Sequence, residues 1–149
     1  MRLLLIIVIG LLSFHAKAQL PTQQKVSPLI LIDTLTTNHE TMIVHPSKFI
    51  SITTMSPIRA VQMYGDHAKF GVIRIEAKPD VQWVRLNMIL DKFNIETRYR
   101  NLKVCIDKTP VIEPDKILAD INEIQNVEVI SSLQAEPFIN IVTQPVSSR

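Results

Sequence analysis

The sequence predicts an α+β domain in which two strand–helix–strand–strand units pack together with a connecting helix between them. Three observations predict it. The stretch 47–78, SKFISITTMSPIRAVQMYGDHAKFGVIRIEAK, reads as strand, short helix, strand, and a shorter version returns over 122–144. Between the two, Trp83, Leu86, Ile89, Leu90 and Phe93 fall on one face at helical spacing. Each unit alone is too small to bury its sheet face, so the two are expected to fold as one body.

The chain opens with a segment expected to be removed. Arg2 supplies a positive start, Leu3 to Leu12 an apolar run, and Ala16-Lys17-Ala18 a small-residue cleavage pattern, so 1–18 reads as a signal peptide. The apolar run is ten residues, too short to cross a bilayer as a helix, and no Cys stands at the cleavage point to take a lipid. The expected product is exported, begins at Gln19 and keeps no transmembrane segment. The whole chain carries 16 Lys and Arg against 14 Asp and Glu. Loss of Arg2 and Lys17 brings the two to parity, and with no basic block and few aromatics, nucleic acid is excluded as a partner.

Residues 19–27 form a polar lead with Pro21. The first unit, 28–79, opens with Leu29 to Ile32, an apolar run too short for a helix and suited to a strand buried on both faces, ended by Asp33. Thr37 with Glu40 makes a capping box and predicts a short helix before Pro46. Phe49, Ile52, Thr54 and Met55 read as a half-buried strand, stopped by Ser56-Pro57. Ser56 as cap, Pro57 at the first helical position and Gly65 at the exit predict a helix over 57–64. Ile73, Ile75 and Ala77 then alternate with Arg74 and Glu76 up to Pro79, which gives a strand with one apolar and one charged face.

Residues 80–100 are read as the connector, a helix capped by Asp80. The second unit, 101–145, repeats the first. Val104 to Asp107 align with Ile30 to Asp33 at an offset of 74, and Ile124 to Ile130 with Phe49 to Met55 at 75. Phe138 to Pro145 align with Val72 to Pro79 at 66, so the second copy has lost the helix and its Gly and needs only a turn through 131–137. Pro114 to Ala119 predict one to two helical turns. Residues 146–149 are a tail.

Several separated blocks resemble the plug domain of TonB-dependent outer-membrane receptors. Pro28-Leu29-Ile30-Leu31-Ile32-Asp33 is similar to that family's PLIVIDG, and Phe49 to Met55 loosely to its IESIEVLK. Ala60, Tyr64, Gly65, Ala68, Gly71, Val72, Ile73, Ile75 and Lys78 follow A-x-x-x-YG-x-x-A-x-x-GVI-x-I-x-TK. The resemblance covers about half of the mature chain, and IDKTPV, IQNVEVI and FINIVT repeat the order. It implies a plug-like unit, apparently duplicated, at the periplasm or outer-membrane periphery of a Gram-negative cell. It departs at Thr34, where the family has Gly, and in the 71 residues after Lys78, too few for the family's barrel.

Little in the sequence carries chemistry. His39 and His45 are six apart, off the helical spacing of a ligand pair, and no Cys pair accompanies them, so neither a metal nor a cofactor is expected. Asp66 and His67 beside Tyr64, with Cys105 as nucleophile, lack a nucleophile elbow or a phosphate-cradling loop, so no enzyme is expected. The expected function is a non-catalytic protein-binding module for an envelope partner such as an outer-membrane receptor, with Arg59, Tyr64, Asp66, His67 and Lys69 as its candidate surface. The alternative is a periplasmic small-ligand or ion-binding protein using Asp33 and Asp107, the acids that end the two buried strands. The plainer role for both acids is to bond the turn that follows.

Overall fold

The computed structural model describes residues 27–132 and 135–144. The expected signal peptide, the lead up to residue 26, part of the turn at 133–134 and the tail lie outside the described residues. Among those described, strands account for 44% and helical turns for 27%, much of the latter in short 3₁₀ pieces. This overturns the α+β expectation of two plug-like units with a connecting helix. The described residues are β-rich and form three sheets and two α-helices.

The first sheet takes β1 (Leu29–Ile32), β2 (Leu35–Thr37), β4 (Phe49–Met55) and β5 (Val72–Ala77) in the order β2-β1-β5-β4. The second takes β7 (Lys103–Ile106), β8 (Thr109–Pro110), β10 (Ile124–Ser132) and β11 (Ala135–Thr143) in the order β10-β11-β7-β8. The two are wired alike. In each, a hairpin's first strand runs parallel to the unit's last strand, which lies antiparallel to the strand before it. A third sheet, β3 (Met42–Ile43), β9 (Leu118–Asp120) and β6 (Trp83–Arg85) in the order β3-β9-β6, joins the units. There Met42 lies beside Leu118 and Ile43 beside Ala119.

The connecting helix of 80–100 is therefore corrected. Trp83 to Arg85 are extended and pair with Asp120 to Leu118; the helical parts are α2 (Leu86–Lys92) and a 3₁₀ turn at Thr97–Tyr99. The reason is tertiary. All three residues of β9 are buried, so its backbone groups need partners on both sides, and β6 supplies the second side. Arg85 locks the arrangement, since its guanidinium donates to the carbonyls of Thr36, Lys116 and Ile117.

Two further helical expectations give way. Thr37 ends β2 buried, its hydroxyl donating to Lys116 O at 2.9 Å, while Asn38 Oδ1 accepts from the amides of Glu40 and Thr41. That side-chain turn replaces the predicted helix. Over 114–119 only Pro114–Lys116 forms a 3₁₀ turn before β9 begins. The helix over 57–64 is observed, as α1 (Pro57–Tyr64).

The largest core cluster belongs to the second half. Ile89 and Leu90 of α2 pack with Val104, Ile117, Ile121, Ile124, Val127, Ile139 and Ile141. The first sheet has a smaller cluster on each face. Ile30, Ile32 and Ile75 meet Leu118 on one, and Leu31 and Val72 meet Ala60 and Ala68 on the other.

Candidate functional site

Among the described residues the first unit holds most of the exposed large apolar side chains, and the local sequence explains why. Ser56 is extended (φ −61°, ψ 152°), Pro57 occupies the first helical position, and Gly65 (φ 73°) lets the chain leave the helix in a conformation other residues resist. What α1 buries is small. Ala60 and, in the 3₁₀ turn Gly65–Ala68 that follows, Ala68 are fully buried, so this segment sits close on the sheet. The larger side chains are left outside: Ile58 is 78% exposed, Met63 58% and Phe70 38%.

Beside them, β4 differs from the half-buried strand expected. Ile52 and Thr54 are exposed, and Ile50 is 57% exposed; only Phe49 and Met55, at the ends, are partly covered. The cause is position. Among the described strands, β4 is the outermost of its sheet and pairs with β5 alone. Of seven exposed large hydrophobic residues among those described, five lie between Ile50 and Phe70; the others are Met88 and Ile112.

The five residues predicted as a surface fall on the same side of the chain's organisation. Arg59 is on α1, Asp66 and His67 are in the 3₁₀ turn, and Lys69 follows it; all four are exposed. Tyr64 is half-buried and packs against the Leu31–Ala60 cluster. The Lys69 ammonium lies 5.0 Å from the centre of the Phe70 ring, a cation–π distance. Polar residues were legible here. The apolar ones were missed, although Ile50 and Ile52, with Ser51 between them, and Ile58 two positions ahead of the inward Ala60 were the available signal.

The two turn acids are not brought to one place. Asp33 and Asp107 both adopt positive φ (54° and 48°) at the hairpin tips of different sheets. Lys108 is also positive (φ 67°), as a type I′ turn requires, whereas Thr34 does not share that conformation. Asp107 accepts from Thr143 N at 2.9 Å and from its hydroxyl at 2.7 Å. This ties the tip to the end of β11. An open crevice of about 250 Å³ between the units is lined by residues including Met42, His45, Ile106, Asp107, Glu123 and Thr143, without Asp33.

The remaining chemical candidates are also separated. His45 Nδ1 accepts from Ser47 N at 3.2 Å, capping the 3₁₀ turn Pro46–Lys48. Asp120 does the same for the turn Ile121–Glu123 through Asn122 N, at an offset of 75 from His45. Asp120 is fully buried; its Oδ1 also accepts from Gln82 N, and its Oδ2 has no hydrogen-bond partner among the described residues. His67 is exposed on the first unit, while Cys105 is buried in β7 of the second sheet, where loss of solvation pushes its thiol above the ordinary range. No group of three or more His, Cys, Asp or Glu able to hold a metal occurs among the described residues, and no described helix is long and apolar enough to cross a membrane. No protein-family model, curated protein or solved structure matches the chain.

Proposed function

We propose that this chain is a non-catalytic protein-binding module of the cell envelope, engaging its partner through α1 and the turn that follows it. The observation that carries the reading is that Ile58, Met63 and Phe70 are all exposed within one short segment, α1 and the turn after it, where Arg59, Asp66, His67 and Lys69 are exposed among them. Apolar anchors with a polar border are the composition of a contact patch. The signal-peptide pattern of 1–18 and the plug-like blocks of 28–78 favour an exported chain and an outer-membrane receptor as partner.

The test is affinity capture of the tagged, processed protein from cross-linked envelope extract, wild type beside Ile58→Asp/Met63→Asp. Recovery of a single outer-membrane receptor by the wild type and its loss in the variant is the expected result. Recovery of the same receptor by both removes the reading. The small-ligand alternative rests on the crevice holding His45, Asp107 and Glu123. It predicts a ligand-induced rise in Tm that Asp107→Asn abolishes, and a flat response across metals and metabolites removes it.

A further inference from the structure

We propose that β4 is the seam of a homodimer, in which two copies of this chain join their first sheets edge to edge, antiparallel, about a twofold axis at Ile52. The inference uses a different surface from the α1 patch and does not depend on it.

Exposed edge strands are ordinarily blunted by charge, proline, shortness or a bulge. β4 has seven residues with neither a charge nor a proline, and its one irregularity, between Phe49 and Ser51, leaves Ser51 to Met55 in regular register with β5. No described strand pairs with its outer side. The equivalent strand β10 is an outer strand too, yet it carries Glu128 and exposes Gln125 and Asn126 rather than isoleucines.

The occupant follows from the residues flanking that edge. β4 pairs with β5 so that Ser51 lies against Glu76, Ile52 against Ile75 and Thr53 against Arg74. Ser51 Oγ already donates to Glu76 Oε2 at 2.9 Å. A twofold at Ile52 sets Ile52 against Ile52 of the second copy and Ser51 against its Thr53. One row across the joined sheet then reads Ile75, Ile52, Ile52, Ile75. The rows on either side read Glu76, Ser51, Thr53, Arg74, so a carboxylate on one copy shares a row with a guanidinium on the other, about 14 Å apart across the two β4 strands, twice by symmetry.

Charge also selects the register. Centring the axis on Ser51 sets Glu76 against Glu76, and centring it on Thr53 sets Arg74 against Arg74; the Ile52 register puts unlike charges in the same row. The product is a continuous eight-stranded sheet, with the exposed isoleucines of β4 drawn into its middle. A second copy supplies both the apolar row and the opposite charges, which a generic extended peptide does not.

The full chain, produced with its own leader and purified as the host processes it, is studied by sedimentation equilibrium. A monomer–dimer equilibrium in the micromolar range is expected. Arg74→Glu, which places like charges across the seam, is expected to weaken the dimer about tenfold at low salt, and Arg74→Glu/Glu76→Arg to restore it. Both positions are exposed, and circular dichroism checks that each variant folds.

Ile52→Cys gives a second, geometric readout. Directly opposed antiparallel residues have Cα atoms about 4.5–5.5 Å apart, within the range of about 4.4–6.8 Å that a disulfide spans. Oxidation is expected to cross-link Ile52→Cys and to leave Gln125→Cys on β10 as monomer. A monomer at every concentration, a dimer indifferent to both charge variants, or cross-linking through β10 in place of β4 overturns the proposal. A monomer that still captures a receptor through α1 overturns this inference alone, and a dimer that captures none overturns only the α1 reading.

Discussion

The two four-stranded sheets share one wiring plan and differ in what surrounds it. In the second, β10 and β11 form a direct hairpin over the main core, and Ile139 and Ile141 are fully buried. In the first, α1 and its 3₁₀ turn separate β4 from β5, the core clusters are smaller, and the outer strand is exposed from Ile50 to Thr54. Equivalent positions show the divergence. Asn140, buried opposite Glu128, corresponds at the offset of 66 to Arg74, exposed opposite Thr53. Two sheets of one wiring plan thus differ in what they carry, the second holding the main core and the first exposing more of its apolar surface.

The largest test of that division is in the cores. Ile139→Ala is expected to cost about 2–5 kcal/mol, the range for deleting a buried branched side chain. Its counterpart Ile73, only partly buried, is expected to cost less than half as much. Urea midpoints for the two variants decide it, and equal losses would abolish the asymmetry.

Next come the polar counterparts. Asn140 donates to Glu128 Oε1 and accepts from Lys108 N, so Asn140→Ala strands a backbone amide and is expected to cost about 1–3 kcal/mol. Arg74→Ala, on an exposed face, is expected to stay within about 0.5 kcal/mol by the same measurement.

Gly71→Ala probes the join between α1 and the first sheet. Gly71 has φ 93°, and an added Cβ would sit 2.8 Å from Met55 O, so a cost of about 1–3 kcal/mol is expected. Amide exchange should quicken in α1 and β4 before it does in β10 and β11. Uniform acceleration would show that the sheets open together.

The smallest effect is expected at the exposed Lys48–Asp80 pair. Their mutual hydrogen bond holds the Lys48 ammonium above its ordinary range and the Asp80 carboxyl below its own. The Lys48 contribution is present below the unfolded lysine value of 10.5 and lost as pH rises through the folded one. The Asp80 contribution is present above the unfolded value of 3.8 and lost as pH falls through the folded one. Lys48→Met should therefore shift the thermal midpoint slightly at neutral pH and not at strongly acid pH, where a persisting difference would point to another cause.

What the sequence made legible was local. Leu29 to Ile32 announced a buried strand, Ser56-Pro57 and Gly65 bracketed a helix, and the offsets 74, 75 and 66 aligned strands that prove to hold equivalent places. What stayed hidden was decided at a distance. Trp83 to Arg85 fit a helical stripe, and only the buried β9, some 35 residues later, draws them into a strand. The isoleucines of β4 announced a covered face, because alternation reports the period of a strand and not whether anything lies over it. In α1 and the turn after it the sequence reading named the polar residues and passed over the exposed Ile58, Met63 and Phe70.

The pairing of Met42 with Leu118 has a kinetic meaning as well. The hairpins β1–β2, β7–β8 and β10–β11 close over short stretches of chain, but β3 meets β9 only after more than seventy residues have been looped out. Closing such a loop costs entropy before any contact repays it. Yet doubling a loop adds only about 0.6 kcal/mol. The β3–β9 pairing is thus expected to form after the three hairpins have closed.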